Sequence, residues 1–436
     1  MGVTVRKYWE RVRSSFWFLP GLMALGAVGL SSATVWLDGW VTADWVRSLG
    51  WVYSGGAEGA SAVLGTVASS MMTITGLVFS LTLVALAQAS AQFGPRILRN
   101  FMRDTANQVV LGTFVATFLY CLLVLRTIRR ADEVLFIPHV SVTLGVAFAL
   151  VSLGVLIYFI HHVAISIQAD EIIARISSEL ERGIDRLYPV KIGEGEPVDA
   201  AEKPPGEGKG VISDEEGYVE LIDAGALLRA AEEADVVIEI AKRPGHYVSK
   251  GALLARGWPA ERVIDELCDR VRGAYAIGVS RTPAQDVEFT LLQLVEIAVR
   301  ALSPGINDPF TAMTCIDRLG SALGKLAGRD RPVAFRRGKE GALRVIAEGS
   351  GFDRFVAAAY DQIRQNSRGN VAVTIRLLEA LAEVADSVGR RADFDAVAAQ
   401  AGLVMAGARA AVHEAGDLRE VEERYLRLVA AEASGA

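Results

Sequence analysis

The side chains best suited to chemistry fall in two places. The first is a series of small and hydroxyl residues, Thr66, Ser69, Thr73, Gly76 and Ser80, continued by Ala87, at three-, four- and seven-residue spacings. At about 100° per residue, those spacings put the series on one face of a helix. Two kinds of chemistry suit such a face. Small residues let membrane helices approach closely, with Ser and Thr hydrogen-bonding across the contact. The same residues line hydrated paths, where hydroxyls replace part of an ion's water shell. Gln88 and Gln92 lengthen the polar character beyond what packing alone requires. Thr66, Ser69, Thr73, Gly76 and Ser80 are therefore candidates for lining a pore.

The second place is the segment from Thr282 to Leu326. Thr282-Pro283 and Asn307-Asp308-Pro309 each read as a helix start, with a capping side chain before a first-turn proline. Helix N-termini attract anions, and Arg281 and Arg300 stand close by in sequence. Arg281, Thr282, Arg300, Asn307 and Asp308 are thus candidates for a small anionic ligand or a subunit contact. A plain helix stop at Ser303-Pro304-Gly305, followed by a capped start, accounts for the same residues as architecture. Glu296 and Arg300, four apart on an otherwise apolar helix, read as a buried ion pair rather than a catalytic pair.

Little else invites catalysis. His161 and His162 are adjacent, so on a helix they point about 100° apart and do not share one metal. They read as interfacial or hydrogen-bonded residues. The Gly206-x-Gly-x-Gly run precedes a strand-like stretch rather than a helix, which disqualifies it as a phosphate loop. Cys121, Cys268 and Cys315 form no CxxC pair, so neither a disulfide framework nor a zinc site is expected, which suits a reducing compartment. No HExxH, GxSxG or Walker pattern is present. The expectation is a protein that is not an enzyme and needs no cofactor.

The elements that must position these residues begin with charge-free apolar runs. Gly59–Pro95 holds 37 residues without a charged side chain, and Ser14–Leu37, Thr105–Leu125 and Val134–Ala169 are of the same kind. A run of about 18 or more such residues can cross a bilayer as a helix. Four transmembrane helices are predicted, at about 16–37, 60–92, 105–126 and 136–166, after a basic N-terminus at 1–15. The second run would span about 55 Å as one helix, longer than a hydrocarbon core of about 30 Å. It must project from the membrane or break, with Gly76 and Gly94-Pro95 as the obvious places.

Residues 1–169 carry 11 Lys and Arg against 7 Asp and Glu, and the remainder carries 34 against 44. A membrane part of modest positive charge therefore bears an acidic soluble part, a poor partner for nucleic acid or anionic lipid. Arg6, Lys7, Arg11 and Arg13 precede the first span, and Arg96, Arg99 and Arg103 follow the second. By the positive-inside rule both regions lie in the cytoplasm, with the C-terminal domain; Arg126, Arg129 and Arg130 of the third loop dissent.

Ile172, Ile176, Leu180, Ile184 and Leu187 keep a helical period beyond the fourth span, predicting a stalk at 170–189 and a continuous rod of about 50 residues with that span. The Gly-, Pro- and Glu-rich stretch 190–216 reads as a flexible linker. An α+β domain is expected over 217–345, with turns spaced as in a small β-barrel near Arg243–Leu254, and a helical region over 346–436. The fold class is an α-helical membrane protein with four transmembrane helices and an α+β cytoplasmic domain ending in a helical bundle.

Four stretches carry a resemblance: Thr75–Leu86 (TGLVFSLTLVAL), Gln92–Asp104 (QFGPRILRNFMRD), Asn107–Phe114 (NQVVLGTF) and Arg300–Ala312 (RALSPGINDPFTA). Over about Ser15 to Tyr425 the chain resembles the family catalogued as domain of unknown function 2254, predicted bacterial membrane proteins. The resemblance implies a four-helix inner-membrane protein with a cytoplasmic domain, and carries no activity or functional residues with it. The expectation drawn from the residues is a homo-oligomer in the lipid bilayer that conducts an ion or small solute under the control of its cytoplasmic domain. A non-conducting membrane sensor or scaffold is the alternative.

Overall fold

The computed structural model describes residues 17–40, 52–94, 104–129, 136–188, 204, 206–332, 334–339 and 341–434. The basic N-terminus, Arg96–Arg103 and the first part of the 190–216 segment lie outside the described residues. The chain divides into two compact units, one of them at Lys7–Gln168 and the other formed chiefly by Ala169–Ala436.

Four helices of the N-terminal unit are long and apolar enough to cross a membrane: α1 (Phe18–Asp38), α2 (Ala57–Phe93), α3 (Thr105–Leu125) and α4 (His139–Ser166). In lipid a helix is the form that satisfies every backbone group within one segment. α3 contacts the other three and is the central helix, with half of its apolar window buried against 22% in each of the others. Phe114 and Tyr120 on α3 are fully buried. Asp104 starts α3 by accepting from the backbone N–H of Ala106 at 2.9 Å.

α2 is continuous over 37 residues, without a break at Gly76. An isolated glycine costs a helix only about 1 kcal/mol, and the ladder of hydrogen bonds on either side carries the helix past it. Gly94, at φ 104°, ends it.

The rod predicted through the fourth span is two helices. α4 stops at Ser166, Gln168 N–H turns back to Ile165 O at 2.9 Å, and α5 runs over Ala169–Leu187. Asp170 and Glu171 stand in the first turn of α5, where negative charge favours a new helix N-terminus. α5 is also no free stalk. Its apolar stripe of Ile172, Ile173, Ile176, Leu180 and Ile184 is buried, and it packs on two helices of the C-terminal unit, α8 (Val287–Ala301) and α9 (Pro309–Ala327). Asp185 ties it to Lys325 at 2.8 Å and to Arg329.

The C-terminal unit has two sheets instead of a closed barrel. β1 (Lys209–Ile212), β5 (Leu253–Trp258), β3 (Val237–Ile240), β8 (Leu343–Ile346) and β7 (Phe335–Arg337) form one sheet in that order; β3 and β8 are parallel and the other neighbours antiparallel. β4 (Tyr247–Val248), β2 (Gly217–Ile222) and β6 (Tyr275–Gly278) form the other, antiparallel throughout. β1 lies inside the segment expected to be linker, because antiparallel pairing with β5 satisfies its backbone despite Gly210. α6 (Ala224–Glu233) and α7 (Asp265–Gly273) complete this part, whose core holds Val219, Leu227, Ile238 and Leu254. With α8 and α9, α10 (Phe352–Asn366), α11 (Val371–Asp386), α12 (Arg391–Ala411) and α13 (Ala415–Ser434) make the helical part.

Candidate functional site

α2 uses one strip to pack on its own unit. Ala60, Leu64, Ala68, Met71, Val78, Thr82, Ala85, Ala89 and Phe93 are buried. Thr66, Ser69, Thr73, Gly76 and Ser80 are all exposed. At about 100° per residue, the two sets lie on opposite sides of the helix. The hydroxyl stripe therefore lies outside the strip that α2 buries among the described residues. Its threonines bond back to their own helix, Thr66 Oγ1 to Ala62 O at 2.7 Å and Thr73 Oγ1 to Ser69 O at 3.1 Å. That arrangement satisfies them before any association.

The same unit holds a second polar cluster. His162 Nε2 and Asp104 Oδ2 are 2.8 Å apart, and Tyr158 stacks on the imidazole at 5.5 Å. His161 is exposed. The pair is hydrogen-bonded, with no metal role implied.

The residues proposed for an anion in the C-terminal unit do not converge. Arg281 lines a cavity of about 270 Å³, whereas Thr282, Arg300, Asn307 and Asp308 do not. Thr282 is not a helix cap, because its hydroxyl donates to Glu220 O at 3.2 Å. α8 starts at Val287 instead, with Asp286 as its cap through Phe289 N–H at 3.0 Å. Asp286 is favoured there because Arg281 grips the same carboxylate in two places, Nε to Oδ2 at 2.8 Å and Nη2 to Oδ1 at 3.0 Å. Asp308 does cap α9, accepting from Thr311 N–H at 3.1 Å. Asn307 before it is at φ 50° in an exposed turn. The Glu296–Arg300 pair, 3.6 Å apart, is half-buried rather than buried.

The cavity draws on segments far apart in sequence. α5 ends on it at Leu187 and Tyr188; the β3–β4 turn brings Arg243 to His246; the stretch before α8 brings Arg281, Gln285 and Asp286, and its first turn Glu288; the loop after β8 and the start of α10 bring Ser350, Arg354 and Phe355. Gly245, at φ 88°, lets the turn lie against the Arg281–Asp286 pair, since a Cβ there would collide with the carboxylate. Gln285 holds the end of β2 as a strand would, accepting from Ile222 N–H at 2.9 Å and donating to Ile222 O at 3.1 Å.

Charge is unevenly satisfied around the cavity. Asp286 is committed to Arg281, and Glu288 to Arg354 at 3.0 Å. Arg243 donates only to neutral acceptors, Glu348 O at 3.2 Å and Ser350 Oγ at 3.5 Å, and no carboxylate of the described residues pairs with it. The backbone N–H of Arg243 donates to His246 Nδ1 at 3.4 Å, which leaves the neutral ring's proton on Nε2. Burial first, then the charges of Arg243, Arg354 and Lys242 against that of Glu288, hold His246 below the usual imidazole range. Burial also pushes the Tyr188 hydroxyl up to about 12. Arg243, His246 and Arg354 were not among the residues singled out in the sequence; a turn-rich run around Gly245 was a signal for the first two, and Arg354 on α10 had none.

Residues 13–383 match the family model described as "Predicted membrane protein (DUF2254)". An uncharacterized protein of Mycobacterium tuberculosis is 34% identical over 371 residues, covering 84% of this chain and 71% of the relative. One from Mycobacterium bovis is 34% identical with the same coverage. No solved structure matches the chain. With four helices able to span a bilayer and most of its length matched, the chain belongs to the DUF2254 family of predicted membrane proteins.

Proposed function

We propose that the protein is a homo-oligomer in which copies of α2 meet around an axis and line a path for an ion or small solute. One observation carries this reading: the hydroxyl stripe lies, with Leu77, Leu83 and Val84, on the broad side of α2 that is left exposed. A single chain offers no room for the path, because α3 fills its centre with Phe114 and Tyr120. A hydroxyl lining solvates an ion without a charge that would cost several kcal/mol in lipid. The C-terminal unit would control the path, and the apolar Ile306 and Phe310, 44% and 75% exposed beside Asn307 and Asp308, are suited to a subunit contact there. We place the protein in the bacterial plasma membrane, with both termini cytoplasmic by the positive-inside rule.

A second reading is a non-conducting membrane-anchored binding protein, favoured by the cavity in the C-terminal unit. Both readings leave the protein without a cofactor or a nucleic-acid partner, and neither makes it an enzyme.

Cysteine scanning in proteoliposomes separates them. Thr73→Cys and Ser80→Cys are expected to react with a water-soluble thiol reagent and lose flux, while Phe79→Cys and Leu81→Cys, on other faces, stay unreactive. Protection at all four positions, with a monomeric mass in detergent, would leave the path without support and the binding protein as the survivor.

A further inference from the structure

We propose that the cavity of the C-terminal unit binds a small amphipathic anion, with a carboxylate or phosphate head taken by Arg243 and His246 and a short apolar body lying on the half-buried Leu187 and Ile240. This goes beyond conduction and holds for either reading above. It deepens the binding reading by naming the ligand class, and the experiment below reads binding alone.

Three observations point the same way. The first is unspent charge. Among the described residues, the guanidinium of Arg243, between the β3–β4 turn and the loop after β8, has a carbonyl and a hydroxyl as its acceptors. A half-buried arginine that meets only neutral groups keeps most of its capacity for an anion, and an anionic acceptor makes a hydrogen bond about twice as strong as a neutral one. Two of the three acidic residues lining the cavity, Asp286 and Glu288, are held by Arg281 and Arg354, and the third, Glu348, meets Arg243 through its backbone carbonyl.

The second observation is convergent donors. With Nδ1 occupied by the Arg243 N–H, His246 has its Nε2–H left to donate, and the Ser350 hydroxyl stands beside the Arg243 guanidinium. The imidazole sits among Arg243, Arg354 and Lys242 with Glu288 as the opposing charge. Around the whole cavity Arg243, Arg281, Arg336 and Arg354 face Asp286, Glu288 and Glu348, a formal excess of one positive charge.

The third is size and lining. At about 270 Å³, the cavity lies just under the range of roughly 300–1,000 Å³ in which small-molecule sites fall. A dinucleotide or a two-tailed lipid is too large for it. An inorganic ion alone would leave the half-buried Leu187 and Ile240 facing water. An anion with a few carbons uses both walls, the polar one for orientation and the apolar one for burial, about 0.8 kcal/mol being typical of each buried methylene.

The test uses the full-length protein in nanodiscs, with empty nanodiscs as background. Radiolabelled hexanoate and monobutyl phosphate are the probes; hexanamide lacks the charge, and inorganic phosphate lacks the body. We expect saturable binding of at least one anionic probe at one site per chain, with hexanamide and inorganic phosphate competing at least about tenfold more weakly. Arg243→Gln should weaken binding about ten- to hundredfold, as loss of a charged hydrogen bond does, and Arg243→Lys should weaken it less. If Arg243→Gln does not fold, Arg354→Gln, at a side chain 48% exposed, supplies the same readout through the loss of a neighbouring charge. No saturable binding of either anion, equal competition by hexanamide or inorganic phosphate, or unchanged affinity in a folded Arg243→Gln protein would each overturn the assignment.

Discussion

Asp38, the last residue of α1, caps α4 through Ser141: Asp38 Oδ2 accepts both the backbone N–H of Ser141 at 2.9 Å and its hydroxyl at 2.6 Å. Its other oxygen accepts Val140 N–H at 2.8 Å. One buried carboxylate thereby serves the N-terminus of a helix about a hundred residues downstream, where the helix dipole also favours it. Tyr120 joins the same corner, donating to Ser141 O at 3.1 Å and sharing a hydrogen bond with Thr34 at 3.0 Å.

Asp38→Ala removes the cap and three charge-assisted hydrogen bonds. A loss of about 2–3 kcal/mol is expected, with Asp38→Asn losing less because one acceptor oxygen remains. Thermal unfolding of the detergent-purified variants, followed by circular dichroism, checks the order. Equal melting of both variants with the parent would mean that the cap carries no stability.

Gly245→Ala should destabilise the C-terminal unit by about 1–3 kcal/mol from backbone strain alone, and by more through the displaced Arg281–Asp286 pair. Gly251→Ala is the matched control, because Gly251 has φ 83° but open space where a Cβ would stand. The difference between the two melting temperatures isolates the collision with Asp286. Identical shifts would show that the pair moves aside freely.

The depressed pKa of His246 has a definite pH signature. The unfolded chain takes up a proton near the ordinary imidazole value of about 6.5, whereas the folded unit resists it. The unfolded state therefore binds more protons in the window between the lowered folded value and about 6.5, and stability falls as the pH drops through it. His246→Gln should lose less stability than the parent between pH 7.5 and about pH 5, as read by melting temperatures across that range. Parallel curves for the two proteins would contradict the shift.

Orientation has its own test. An alkaline phosphatase fusion after Ala436 should be inactive and one near Val46 active. The reverse pattern would mean that Arg126, Arg129 and Arg130 outweigh the two basic regions assigned to the cytoplasm.

The Asp38–Ser141 contact and the Gly245 turn also mark the boundary between what was legible in the chain and what was not. Apolar runs such as Gly59–Pro95 determine by themselves four helices long and apolar enough to span a bilayer, because a helix in hydrocarbon satisfies its backbone without help from neighbours. The capped start at Asp308 was equally legible, since an Asp before Pro309 closes its bond within three residues. Which side of α2 would pack was not. Ala60, Ala68 and Ala85 on one side are as small as Ser69, Gly76 and Ser80 on the other, and only docking against α3 and α4 selected between them. Thr282 offered the same local cap signal as Asp308, yet Glu220 took its hydroxyl and Arg281 fixed Asp286 in its place. The cavity was decided wholly by tertiary structure. Its walls come from segments between Leu187 and Phe355, and no period or motif in a sequence encodes a meeting of side chains that far apart along the chain.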